Sequence, residues 1–215
     1  MSTEIIKDIS RKIVRAGKEL YDHGLVKGNS GNISARIPDA DMFLIKPSGA
    51  HMQRLKPEEL VLVDLEGNKI SGKRDVSAET PMHAAIYRAR RGVQAVVHTH
   101  APTATAFGIA GKEILPLQIE MFMLLQKTVP IIPFKQPGSK ALAEAVQKTI
   151  RNYDAVILEN HGIVTVGSTL DAACSLNERV EEAAKIQFTA MMLSGGNVNS
   201  WAELKKKFKA ENTVK

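Results

Sequence analysis

Residues 96–108 read VVHTHAPTATAFG. Two β-branched apolar residues lead into a histidine pair, and Pro102 follows two positions later, the pattern of a short buried strand handed on to a helix. In an extended segment His98 and His100, at i and i+2, leave the same face. Two adjacent imidazoles are poor core material unless something engages their nitrogens. The reading therefore predicts a strand over VQAVVHTH (93–100), with Gln94, Val96, His98 and His100 on one face. It also predicts a helix through TATAFGIA with Pro102 in its first turn.

The same alternation of periods runs outward in both directions. Upstream, residues 4–22 form an amphipathic pattern with Ile6, Ile9, Ile13 and Leu20 on one stripe and Gly24 as its stop. GNSGNISARI is a glycine-rich turn entering a strand that points Ile33, Ala35 and Ile37 one way. MFLIK is a second strand ending in the turn PSGA, and ELVLVDLEGNKI is a hairpin around Glu66-Gly67-Asn68. Thr80-Pro81 opens a helix, with Thr80 as N-cap, that ends near Gly92. Downstream, Ser139 caps a helix to about Asn152, DAVILEN is a buried strand, and His161-Gly162 turns into IVTVG. Ser168 starts a long helix, periodic at Leu170, Ala173, Asn177, Val180 and Ala184, that runs to Gly195-Gly196. Ser200 and Glu203 form a capping box for a short last helix. No linker or repeat interrupts this order, so the expectation is one α/β domain over 1–215, with 1–4 and 197–215 peripheral.

Composition narrows the function classes. The chain has 215 residues, 44% hydrophobic and 24% charged, as globular proteins do. No apolar run approaches the roughly 20 residues a membrane span needs, and the charged N-terminus lacks the apolar core of a signal peptide. Cys174 is the sole cysteine, which precludes an intrachain disulfide and fits a reducing cytoplasm. The net charge of +6 raises nucleic acid as a partner, but the cations are interleaved with acids. The one dense run, KKKFK at 205–209, lacks a binding motif around it. An anionic small substrate fits the charge instead, with no nucleic-acid or membrane partner.

His161, in LENHGIVTVG, is a third histidine in an apolar setting. Any one of the three alone is most simply a hydrogen-bonded structural histidine. A strand pair plus one histidine from a tight turn can surround a single point, and three neutral nitrogens with an open position describe a catalytic zinc site. A closed structural site would draw on cysteines. Glu79, in SAETPMH, is either a favourable charge at a helix start or a working carboxylate. GNSGN and KPSGA are turns that can offer backbone N–H groups to a phosphate, although neither matches GxxxxGK[ST]. His23, His51 and His83 belong to no motif and are expected to be surface or structural.

Taken in order, GNSGNIS, KPSGA, SAETPMH, VVHTHAP and LENHGIVTVG resemble the class II aldolase/adducin family, most closely its L-fuculose-1-phosphate aldolase branch, over about residues 5–195. The resemblance implies a three-layer α/β domain with a central, largely antiparallel β-sheet flanked by helices. It implies a homotetramer with active sites at subunit contacts. It makes His98, His100 and His161 ligands of one Zn2+, with Glu79 as acid/base and, without substrate, the fourth ligand. It puts Gly31, Asn32, Ser48, Gly49, Ser77 and Ala78 in a phosphate pocket, with Asn29 beside it. The implied reaction is reversible cleavage of a ketose 1-phosphate to dihydroxyacetone phosphate and an aldehyde through an enediolate, with no Schiff-base lysine.

The chain departs from that branch in three places. Ala78 stands where the branch has a second serine. Glu120, in LPLQIEM, aligns with a tyrosine that protonates the leaving aldehyde oxygen, and resembles the glutamate of the methylthioribulose-1-phosphate dehydratase branch; it is either a second catalytic acid/base or a plain helix residue. No tyrosine or histidine follows His161, where aldolase and pentulose-5-phosphate 4-epimerase relatives place functional aromatic residues. Aldolase is the leading expectation, followed by the dehydratase, the epimerase and a non-catalytic adducin-like scaffold.

Overall fold

The computed structural model describes residues 3–198 and 201–212. Eight strands form one sheet: β1 Asn32–Arg36, β2 Met42–Ile45, β3 Val61–Asp64, β4 Lys69–Ser71, β5 Ala95–Thr99, β6 Ile131–Ile132, β7 Ala155–Leu158 and β8 Gly162–Gly167. Their order across the sheet is β4-β3-β2-β1-β5-β8-β7-β6, and every neighbouring pair is antiparallel except β6 with β7.

Alternation along the strands sorts two apolar cores onto the two faces. Ile33, Ala35, Leu44, Leu62, Ala95, Val97 and Ile163 face one way. They meet Ile13 and Leu20 of α1 (Thr3–Asp22), Ala104 and Phe107 of α3 (Pro102–Ile109), and Leu176 and Val180 of α6 (Leu170–Leu193). Phe43, Ile45, Val63, Val96, Val156 and Val164 face the other way, against Met82 and Ile86 of α2 (Thr80–Ala89) and Leu142 and Val146 of α5 (Lys140–Ile150). Each of the larger side chains among them, Val, Leu, Ile, Met or Phe, contributes about 1.5–3 kcal/mol on leaving water. A one-residue slip in any inner strand would exchange the two faces, so the register is strongly fixed. The result is the expected three layers around a mostly antiparallel sheet.

Several local readings shift. The N-cap position before α2 is Glu79, with Thr80 and Pro81 inside the first turn. The cap of α6 is Thr169, whose side chain accepts from the Ala172 N–H, so Ser168 lies one residue outside it. Ser139 does cap α5, accepting from Leu142. β5 stops at Thr99, so His100 lies outside the strand, while Gln94, just before it, still accepts from the Arg36 N–H and donates to the Gly167 carbonyl. The chain must leave the sheet there because Ala101-Pro102 already begins α3. Four short elements escaped the sequence reading: α4 (Ile119–Leu125), β6, a two-residue strand between Pro130 and Pro133, and single 3-10 turns at Met52–Arg54 and Pro57–Glu59. α7 spans Trp201–Asn212, and Phe208 rests on the Phe122 ring of α4. Ser200, half of the predicted capping box, lies outside the described residues.

Candidate metal centre

Antiparallel pairing brings four chain segments to one end of the sheet. Asn32 at the start of β1 is paired with His98 near the end of β5, and Thr99 is paired with Ile163 at the start of β8. β2 ends there at Ile45, followed by Lys46 and the PSGA turn. The hairpin from β7 to β8 supplies His161 from a tight turn in which Asn160 takes φ 56° and the His161 N–H bonds back to Leu158.

The three predicted histidines meet here. Nε2 of His98 lies 3.2 Å from Nε2 of His161 and 3.2 Å from Nε2 of His100. One ligand atom from each falls within 4.8 Å of the others, and among the described residues no other group of His, Cys, Asp and Glu does this. The rings approach because position 162 is glycine: a Cβ there would sit 2.2 Å from the Thr99 carbonyl oxygen and 3.1–3.2 Å from the His100 and His98 rings. His98 Nδ1 donates to the Ile163 carbonyl at 2.9 Å, which fixes its tautomer and turns the Nε2 lone pair into the cluster.

Burial lowers the pKa of all three. For His98 desolvation acts first, then the neighbouring His161 and His100; His161 is lowered to about 4 by desolvation and then His100; His100 is lowered by desolvation and then Lys46. The imidazoles are thus neutral near pH 7, as ligands must be. The three Nε2 atoms converge with no partner among the described residues other than one another, and Nδ1 of His161 is buried without a partner. A cation among the three Nε2 atoms would give each lone pair a partner, so this donor set fits a divalent metal.

Glu79 ends the loop at the start of α2. It is 6% exposed, its backbone N–H donates to Ser77 Oγ, and its Oε2 is buried without a partner. Desolvation raises its pKa, partly offset by a hydrogen bond from the Gly138 backbone. Its carboxylate is not among the ligand atoms sharing the 4.8 Å neighbourhood, so the metal cluster of this structure is the histidine triad alone.

The predicted phosphate residues surround the same end. Gly31 takes φ 68°, and a Cβ there would strike the His98 carbonyl oxygen at 2.8 Å, which seats the GNSGN loop on β5. Asn32 is buried and Asn29 exposed. The Ser48 N–H donates to the Asp75 carbonyl, and Arg74 Nη2 donates to the Ser48 carbonyl, joining the turn at Ser48-Gly49 to the loop that carries Ser77 and Ala78. Ala78 is exposed, with its carbonyl against Gly138. Glu120 is elsewhere: it lies exposed on α4, beside Arg179 and Glu182 of α6.

Two contributors were not singled out from sequence. Lys46 is 2% exposed and donates to the Asn29 and Gly31 carbonyls at 2.9 and 3.1 Å, tying β2 to the GNSGN loop. Desolvation, then Arg74, lowers its pKa to about 8. His83 belongs to the core rather than the surface. Its Nε2 lies 2.5 Å from Asn32 Oδ1 and its Nδ1 lies 2.7 Å from Ser34 Oγ. The signal was present as a polar face, Asn32-Ser34-Arg36, on a strand whose other face is apolar, together with His83 and Tyr87 one helical turn apart. A separate cavity of about 680 Å³, lined by Arg36, Arg88 and Arg91, holds none of the predicted site residues.

The profile described as Class II Aldolase and Adducin N-terminal domain matches residues 11–188. The chain belongs to the class II aldolase/adducin family. Among its curated relatives, the 5-deoxy-D-ribulose 1-phosphate aldolase of Bacillus thuringiensis serovar kurstaki is 34% identical over 177 residues, 82% of this chain and 83% of the relative. The 3-oxo-tetronate 4-phosphate decarboxylase of Haemophilus influenzae is 33% identical over 189 residues, 85% of this chain and 89% of the relative. The crystal structure of L-fuculose-1-phosphate aldolase from Thermus thermophilus superposes with a TM-score of 0.79 at 30% identity, covering 89% of this chain and 98% of that one. Relatives named for different substrates thus match this chain over most of its length, and its own histidine triad is able to bind a metal.

Proposed function

We propose that the chain is a metal-dependent lyase, an aldolase that reversibly cleaves a ketose 1-phosphate of the L-fuculose 1-phosphate type to dihydroxyacetone phosphate and an aldehyde. The observation that carries the reading is the convergence of three neutral imidazoles at the sheet end where the GNSGN, KPSGA and SAE loops also finish. The ion we assign to His98, His100 and His161 is Zn2+, and when bound it supplies Lewis-acid stabilisation of charge developing on the substrate oxygens. Glu79 takes a proton from the carbon and returns it; its raised pKa and unpartnered Oε2 suit that exchange. Gly31, Ser48, Gly49, Ser77 and Ala78 offer N–H and hydroxyl donors to the phosphate, with Asn32 and Asn29 beside them. Phosphate binding then aligns the reacting carbon.

The whole chain acts as one domain in this reading, with 197–215 peripheral. In this reading Glu120 works in the site of a neighbouring subunit of a homotetramer. Its flanking side chains Ile119, Met123 and Leu124 are 46%, 54% and 49% exposed, as a subunit contact would have them. The enzyme is assigned to the cytoplasm on the strength of the lone buried Cys174. Among the described residues no helix is long and apolar enough to cross a membrane. A second reading, decarboxylation of a 3-oxo acid phosphate, is supported by the likeness to the Haemophilus decarboxylase. It also breaks a C–C bond beside a carbonyl.

The deciding experiment incubates the zinc-loaded protein with dihydroxyacetone phosphate in heavy water and follows exchange at the carbinol carbon by NMR. Zinc-dependent exchange that disappears in Glu79→Gln supports the aldolase. Absence of exchange with metal bound sinks it and turns attention to 3-oxo acid phosphates and to dehydration through Glu120.

A further inference from the structure

Behind the metal centre, on the sheet face covered by α2, four buried polar side chains form an unbroken chain of hydrogen bonds. Tyr87 Oη lies 2.7 Å from Ser34 Oγ, Ser34 Oγ lies 2.7 Å from His83 Nδ1, and His83 Nε2 lies 2.5 Å from Asn32 Oδ1. Tyr87, Ser34 and His83 are fully buried, and Asn32 is 6% exposed.

The polarity of this chain is set from its far end. Among the described residues the buried hydroxyl of Tyr87 has a single hydrogen-bond partner, Ser34 Oγ. The phenol proton therefore goes to Ser34. Ser34 has one proton of its own, which goes to His83 Nδ1. His83 is left with its proton on Nε2, and that proton goes to the Asn32 side-chain oxygen. Reversing any link would set two protons against each other or leave a buried donor unmade. Asn32 is thereby committed. Its oxygen is occupied, and only its NH2 remains for whatever lies beside His98, its partner across the β1–β5 pair.

We infer that His83 is a positioning residue: with Ser34 and Tyr87 it locks the Asn32 amide so that an N–H donor, never the carbonyl, faces the ligand, which suits the site to an anionic oxygen such as a phosphate. The inference rests on the sugar-phosphate reading for its ligand and on the buried hydrogen-bond chain for its geometry. Free rotation of the amide would present the ligand with a repulsive oxygen part of the time.

The test uses the zinc-loaded full chain, labelled with 15N, and inorganic phosphate as probe. The imidazole spectrum of His83 is expected to show a proton on Nε2 and a bare Nδ1 throughout pH 6–8. Asn32→Asp keeps the acceptor for His83 but puts an oxygen toward the anion, and weakens phosphate roughly tenfold or more. Ser34→Ala mixes the two His83 tautomers and weakens phosphate several-fold, while Ser34→Thr restores both. A purely structural role would lower the melting temperature without moving tautomer or affinity together. A proton on Nδ1 in the wild type overturns the inference, as does undiminished phosphate affinity once the tautomers are mixed. Should the wild type bind no phosphate while His83 keeps its Nε2 proton, the sugar-phosphate reading fails and takes the ligand named here with it.

Discussion

His83 and His98 lie on the same face of the sheet, 0% and 1% exposed, and desolvation is the leading cause of the lowered pKa in each. Burial and titration do not tell them apart. The destinations of their nitrogens do. Both nitrogens of His83 end on protein partners, so the ring is complete as it stands. His98 spends Nδ1 on a backbone carbonyl and aims its Nε2 lone pair at the Nε2 atoms of two further imidazoles. A histidine is a candidate ligand when its surroundings leave one lone pair converging with others, and a positioning residue when they leave none.

The largest effect expected from that contrast is at the triad. His98→Ala should purify with little or no bound zinc by elemental analysis and lose roughly a thousandfold or more in C–C cleavage, the several kcal/mol a Lewis acid supplies. Near-stoichiometric zinc in that variant would move His98 to the structural side of the comparison. Glu79→Gln should keep its zinc yet slow deuterium exchange into dihydroxyacetone phosphate by about 10²–10⁴, which separates the proton carrier from the metal holders.

A smaller effect distinguishes His83. Its folded pKa is lowered to about 3, against 6.5 for the ordinary side chain, so the unfolded chain takes up a proton that the folded chain refuses. The associated stability is present above about pH 6.5 and is lost as pH falls toward 3, with a slope of at most about 1.4 kcal/mol per pH unit. In urea titrations of metal-free protein between pH 4 and 7, His83→Gln should give a curve shallower than wild type by about one proton. Parallel curves would mean that His83 is not held neutral. The smallest effect belongs to the exposed His23, paired with Glu178 at 2.9 Å. His23→Asn should leave zinc content and exchange rate unchanged and shift stability by about 0.5 kcal/mol or less.

Much of this site could be read from the chain. Period-2 alternation in ISARI and VVHT correctly gave the sheet faces, and the His98-Thr99-His100 spacing with His161 in a turn brought the triad together. His100 joins the triad for a partly different reason than its spacing implied: the residue has left the strand, and the bend into α3 rather than the pleat aims its ring. Cap residues missed by one position at Thr80 and Ser168, because neighbouring Glu79-Thr80 and Ser168-Thr169 offer rival caps whose choice depends on tertiary contacts. Lys46 was invisible because a lysine after a strand reads as solvated, and its burial follows from two loop carbonyls far away in sequence. β6 carries two residues between prolines, too few to show any period. Glu120 could not be placed from sequence, and within one chain it lies away from the triad.

The Glu181 carboxylate, 2% exposed on α6, accepts from the backbone N–H groups of Thr103 and Ala104 at 2.9–3.1 Å, at the very start of α3. His100 is separated from that clasp by only Ala101 and Pro102. The tilt of one imidazole is thus mounted on α6, the longest helix among the described residues, which supplies none of the three rings. A shift of α6 along its own axis would therefore pull on the first turn of α3, two residues from His100.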